Sequence, residues 1–295
     1  MNLSLPEVHV GKPCVCGSVV VVPLFAETPL LPNDYVLASE ALAKGTASVR
    51  EVSEEGEIPS LVVENMGDKP VLFVEGEEVR GGKQNRVLCR SVLAACGRAT
   101  RIPVVCTEPR RWSYGGPQQF APGSHCPPSM QYFLKARPGG QQMSVWATIR
   151  RQHLRLGIHS RSGNMSDATG KLRDAVENLR SRLPYTEGTT GFAVAIAGRV
   201  ALVELFDKPA TCKEVYWRFV DGLVLDAQEP GDMGCPTDEI AETVKLYMKE
   251  DMRWRPAGPL VGLGEPYCAR GDDGVLATAL VVDDRLLHLS MSVPF

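Results

Sequence analysis

Val71-Leu72-Phe73-Val74-Glu75-Gly76-Glu77-Glu78-Val79-Arg80-Gly81-Gly82-Lys83-Gln84-Asn85-Arg86-Val87-Leu88 sets an acidic patch and an amide-rich patch between two apolar segments of strand length. Short apolar runs separated by Gly, Pro or Asn continue on both sides. Val49–Val52, Ser60–Glu64, Arg86–Ala94 and Arg101–Cys106 all have the composition of sheet strands. Further upstream, Val19-Val20-Val21-Val22-Pro23-Leu24-Phe25 is a β-branched run of the kind found in buried strands.

The periodicity then changes. Asp34–Lys44 reads as a helix stopped at Gly45, whereas residues 109–140, rich in Gly, Pro, Ser and Gln, show neither period and read as one long binding loop or lid. Downstream, Met143, Trp146, Arg150 and His153 share one side of a helix starting near Gln141, and Leu172, Val176, Leu179 and Leu183 form a second stripe. Phe192–Ile196 and Val200–Phe206 predict a hairpin about Gly198-Arg199. Helical faces follow at Tyr216, Phe219, Val220 and Leu223 and at Ile240, Val244, Tyr247 and Met248, before strands at Val275–Val282 and Leu286–Met291. Strands in runs followed by grouped helices predict an α+β fold, with mixed or antiparallel sheets and the helices gathered in the second half. The expected organisation is a single domain over residues 1–295, with two lobes meeting near 157–170 as the alternative division.

The bulk chemistry narrows the class. With 295 residues, 44% hydrophobic and 23% charged, the chain can bury a full core. A net charge of -3 argues against generic binding to a nucleic-acid backbone, which requires a surplus of Lys and Arg. The Met1-Asn2-Leu3 start lacks the pattern of an export leader, and no apolar run is long enough to cross a bilayer, so a soluble cytoplasmic protein is expected, with no membrane partner. None of the nine cysteines forms a CxxC pair, which predicts reduced thiols and no zinc knuckle. Oligomeric state is not encoded in any of these patterns.

The residues suited to chemistry cluster in two segments. Gly81-Gly82 permits positive φ or close approach to a ligand; Gln84 and Asn85 donate and accept, and Lys83 and Arg86 bring fixed positive charge. The second segment, Pro103-Val104-Val105-Cys106-Thr107-Glu108-Pro109-Arg110-Arg111-Trp112, reads as a strand delivering a carboxylate, a guanidinium and an indole at its end. The candidate catalytic residues are therefore Glu77 and Glu108, as acid–base groups or ligands of a divalent metal. The candidate substrate-binding residues are Lys83, Gln84, Asn85, Arg86, Arg111 and Trp112, with a small molecule as the partner. Against these stands a plain alternative, a polar hairpin with structural Arg–Glu pairs. Neither a P-loop nor a GxGxxG fingerprint occurs. His288, within the apolar Leu286-Leu287-His288-Leu289, reads first as a core histidine.

Through Gly76-Glu77, Gly81-Gly82-Lys83-Gln84-Asn85-Arg86 and Ile102–Glu108 with Arg111-Trp112, the chain resembles the ADP-ribosylglycohydrolase- and rhodanese-phosphatase-associated protein domain family. The likeness extends to Gln142, Trp146, Phe206-Asp207 and the His288 strand, and Arg110 stands where a small residue is expected. The resemblance implies a role near NAD-derived or nucleotide metabolites: a hydrolase acting on an ADP-ribose-like molecule, or a non-catalytic module that binds or senses one. The residue types agree in kind, with Arg and Lys suited to phosphate and Trp to stacking.

Overall fold

The computed structural model describes residues 3, 5–26, 34–114, 119–136, 141–227, 236–249 and 252–294. Its centre is a nine-stranded antiparallel sheet. The strands Val8–Val10, Val19–Ala26, Gly191–Ile196, Arg199–Phe206, Arg285–Ser292, Leu276–Val282, Glu265–Arg270 and Arg255–Pro256 lie side by side in that order, and Cys14–Cys16 also pairs with Val19–Ala26. The last long strand of the chain thus returns to a sheet founded by the first, with Phe206 opposite His288.

The four consecutive valines are explained by burial on both faces. Side chains alternate across a strand. Val20 and Val22 pack with Ile240, Val244 and Met248 of helix Thr237–Lys249, while Val19 and Val21 belong to the cluster holding Val215, Phe219 and Val220 of helix Pro209–Leu223. All four are at most 3% exposed, and each fully buried valine stabilises the fold by about 1.5–3 kcal/mol.

A six-stranded antiparallel sheet runs Ala121–His125, Glu77–Arg80, Arg86–Leu88, Ala99–Cys106, Ser60–Asn65, Ala47–Glu51. A three-stranded sheet joins Val92–Ala94, Val71–Phe73 and Val36–Leu37, the last pair parallel. The α+β class and the grouping of longer helices after residue 128 agree with the pattern in the sequence.

Two local expectations change. Helix Asp34–Lys44 shortens to Ala38–Ala43, because Val36 and Leu37 pair with Val71 and Leu72 instead. Residues 109–140 are not one loop either: Ala121–His125 is a strand against Glu77–Arg80, and Pro128–Ala136 is a helix, while 115–118 and 137–140 fall outside the described residues. The strand escapes a periodicity reading because Ala121-Pro122-Gly123-Ser124-His125 carries little β propensity. Its position is fixed by partners distant in sequence. The hairpin at the chain's end turns through Asp283 and Asp284, both at positive φ (50° and 58°), as a two-residue primed turn requires. Among the described residues no helix is long and apolar enough to cross a membrane.

Candidate functional site

The polar stretch between the strands folds into a tight turn. Gly81 and Gly82 both have positive φ, and a Cβ on Gly81 would stand 2.6 Å from the Gln119 carbonyl oxygen, so the turn needs glycine there. Behind it, four of the predicted residues converge. The Glu108 carboxylate accepts from the Asn85 backbone N–H at 3.2 Å and pairs with the Arg111 guanidinium at 2.6 Å, and Gln84 Nε2 donates to the Glu108 carbonyl at 3.1 Å. Arg111 also donates to the Gly82 carbonyl at 2.7 Å and to Ser113 at 2.9 Å. Burial alone would raise the Glu108 pKa, but Arg111, Ser162 and the Asn85 amide outweigh it and hold the carboxyl below its usual range. Glu108 is therefore an ionised, engaged carboxylate, and Arg111 a latch whose donors are already committed.

The remaining predicted residues disperse. Lys83 donates to the Glu55 carbonyl at 2.9 Å and sits 5.5 Å from the ring centroid of Trp112, which is 45% exposed. Arg86 is wholly buried, donating from Nε to the Ile58 carbonyl at 3.3 Å with Glu51 at 4.0 Å, so it faces the interior and not a ligand surface. Glu77 pairs with Arg218 at 2.6 Å and accepts from the Val74 backbone N–H.

The sheet register separates the two candidate carboxylates. Val79 lies level with Arg86, and Arg86 with Cys106. Glu77 stands two residues before that line and Glu108 two residues after it, a separation of about 13 Å along the strands. One ion or one scissile bond cannot be shared across that distance. Among the described residues no group of three or more His, Cys, Asp or Glu is placed to hold a metal.

Residues 108–111 form a strap between two cavities. Glu108 and Arg111 border a groove of about 710 Å³ together with Gly81, Gly82, Asn85 and Asn164. Pro109 and Arg110 border the other, a cleft of about 780 Å³. The strap is fixed there by Arg110 N–H donating to the Ser162 carbonyl at 2.9 Å and by Gly163, on which a Cβ would come within 3.0 Å of Pro109.

The wall of the larger cleft is one face of helix Gln141–Arg155: Trp146, Ile149, Arg150, His153 and Leu154 follow at i, i+3, i+4, i+7 and i+8. Gln142 anchors that helix by a paired contact with the backbone of Cys106, 2.9 Å to the N–H and 2.8 Å to the carbonyl, which Trp146 Nε1 also reaches at 3.1 Å. Arg110, Arg150 and Arg161 line the cleft with His153 and His159, and among the described residues no carboxylate does. Three guanidiniums with no carboxylate beside them in the described lining form a positive surface in a concave setting. Burial holds His153 below the ordinary imidazole pKa, although Asp167 and a hydrogen bond to the Asn164 backbone pull it upward. Its Nε2 is buried with no hydrogen-bond partner among the described residues.

The spacing of Trp146, Arg150 and His153 on one helical face was visible in sequence. What sequence did not supply was the meeting of that face with Arg110 and Arg161, whose segments are joined by the Arg110–Ser162 and Met165–Thr107 backbone contacts.

The family model described as the ARG and Rhodanese-Phosphatase-superfamily-associated Protein domain matches residues 7–292, nearly the whole chain. No curated protein and no solved structure matches it.

Proposed function

We propose, for a chain that belongs to the ARG and Rhodanese-Phosphatase-superfamily-associated Protein domain family, that the arginine-lined cleft binds a phosphate-bearing, nucleotide-derived small molecule of the ADP-ribose type. The observation that carries this is the convergence of Arg110, Arg150 and Arg161 on one cleft, with no carboxylate in its wall among the described residues. Guanidiniums pair with phosphate through two parallel N–H donors, and the Trp146 and Ile149 side of the cleft offers an apolar surface to a base or ribose. Binding or sensing without turnover fits better than catalysis by Glu77 and Glu108, since these stand apart and each is held by an arginine.

Hydrolysis of the bound molecule is the second reading, favoured by His153. A neutral imidazole with an unpartnered Nε2 beside a cationic surface has the makings of a general base.

Thermal shift and calorimetry with ADP-ribose test both. At a hundredfold excess over Kd, a ligand that binds only the folded state adds about 2.7 kcal/mol of stability. The shift should vanish in Arg110→Ala/Arg150→Ala; its persistence there would place the ligand elsewhere. If turnover is seen by chromatography, His153→Gln should abolish it while affinity stays within about tenfold.

A further inference from the structure

A second constellation, sharing no lining residue with the cleft, lies where the last strands of the chain meet the segment leading into the three-stranded sheet. We propose that Ser91, His288 and Glu204 form a nucleophilic site that takes the acyl group of a small carboxylic ester. Ser91 follows strand Arg86–Leu88, Glu204 lies on Arg199–Phe206 and His288 on Arg285–Ser292, so nothing local in the sequence unites them.

The hydrogen bonds fix the direction of proton flow. His288 Nε2 is 2.7 Å from the Glu204 carboxylate, so that nitrogen carries the proton and donates it. Nδ1 is then the lone-pair nitrogen, and it stands 2.8 Å from Ser91 Oγ. Ser91 Oγ already accepts from the Glu75 backbone N–H at 2.9 Å, which leaves its own hydrogen for Nδ1. The other Glu204 oxygen accepts from Ser290 Oγ at 2.7 Å, and the Phe206 ring stacks on the imidazole at 4.7 Å between centroids, so base and carboxylate are held from both sides. Nucleophile, base and orienting carboxylate in series are the arrangement that activates a serine hydroxyl, and they are recognised by geometry and not by chain order.

Ser91 and His288 line a small pocket with the buried carboxylate Glu75 and with Arg90, Thr278, Pro266 and Tyr267. Arg90 donates from its terminal nitrogens to the carbonyls of Ala257 and, at 3.1 Å, Pro259, but its Nε–H is buried without an acceptor. In the wall of the pocket that donor is placed to meet developing negative charge. The pocket holds only about 10 Å³, room for roughly one water. The segment that Arg90 ties down, with Leu263 N–H bound to the Leu93 carbonyl at 2.7 Å, must shift to admit an ester, which restricts the site to small acyl groups.

In the step, Ser91 Oγ bonds to the acyl carbon as its proton passes to His288 Nδ1. The carbonyl π pair moves onto oxygen, beside the Arg90 Nε–H. Collapse of that intermediate breaks the C–O bond, and the departing alkoxide takes the proton from Nδ1. Water then attacks the acyl-serine with the same base, releasing the acid and restoring Ser91. Glu204 touches no substrate and acts as a positioning residue.

The test uses the full chain with methanesulfonyl fluoride, whose acyl-like group is small, read by intact mass and peptide mapping, and with p-nitrophenyl acetate for turnover. A single sulfonyl adduct on Ser91 is expected, absent in Ser91→Ala and slowed about 100-fold or more in His288→Gln. Glu204→Gln should slow labelling, with Glu204→Asp recovering part of the rate, a rescue that a purely structural carboxylate would not give. The wild-type measurement decides even where a variant fails to fold. Folded protein that leaves Ser91 unmodified after prolonged exposure to millimolar probe, or a His288→Gln variant labelled at the wild-type rate, would overturn the proposal.

Discussion

The arginine-lined cleft and the buried network around Glu75 and Glu204 use the same residue types under opposite rules. In the network both carboxylates are answered from within: Lys135 meets Glu75 at 2.5 Å with both side chains 1% exposed, Thr278 donates to the other Glu75 oxygen at 2.8 Å, and His288 Nε2 lies 2.7 Å from Glu204. In the cleft, Arg110, Arg150 and Arg161 face solvent with no carboxylate beside them among the described residues. Burial explains the contrast, since a charge removed from water must be paired or it costs several kcal/mol, whereas an exposed one remains solvated until a ligand arrives. Charge left unbalanced in a concave surface is therefore the better guide to a ligand.

The widest break between the two regions should come from Lys135→Met. It leaves Glu75 buried and uncompensated, and unfolding in urea should show a loss of about 3–5 kcal/mol. A loss under about 1 kcal/mol would mean that water reaches the pair. Histidine separates the regions by pH. Burial pushes His125 down to about 3, despite the two backbone carbonyls of Glu75 and Cys126 at its ring nitrogens. Its folded pKa lies below the unfolded value of 6.5, so the unfolded chain binds the extra proton between them and stability must fall as pH drops below that value. Urea midpoints measured between pH 7 and 5 should decline, and a flat profile would show that the ring takes up its proton as readily in the fold as in the unfolded chain.

Smaller effects belong to the cleft. Raising salt from 50 to 500 mM should weaken ADP-ribose binding by about fivefold through screening, while the Lys135–Glu75 pair, out of contact with solvent, should contribute nearly the same stability at both. A bound phosphate favours the charged imidazole of His153, so affinity should also rise between pH 7.5 and 6; calorimetry in two buffers would reveal the proton taken up. Least affected should be the exposed Lys44–Glu40 pair. Glu40→Gln should change stability by less than about 0.5 kcal/mol, and a larger change would undermine the distinction between buried and exposed charge drawn here.

The convergence of Gln84, Asn85, Glu108 and Arg111 was legible because one segment sets polar residues at a glycine turn between strands and the other ends a strand in polar residues. The role of Arg86 was not, since a strand arginine looks alike whether it faces solvent or core; only sheet stacking put it at 0% exposure. Glu77 was grouped with Glu108 from their position near strand ends, and the register then set them two residues on either side of the Val79–Arg86–Cys106 line. Ala121–His125 was hidden by its composition, and His288 looked like an isolated core residue until Glu204 and Ser91 were brought to its two nitrogens.

Local chemistry in the sequence determined the strands and helices with strong periodicity, the α+β class and the turns that need glycine, because apolar alternation and backbone sterics act within a few residues. Tertiary structure alone decided which charges meet. The Ser91–His288–Glu204 contacts span up to 197 residues, and the cleft joins a strand-end strap to a helix face and the loop at 158–163. Such pairings depend on how sheets and helices stack in space, on which spacing along the chain carries no information.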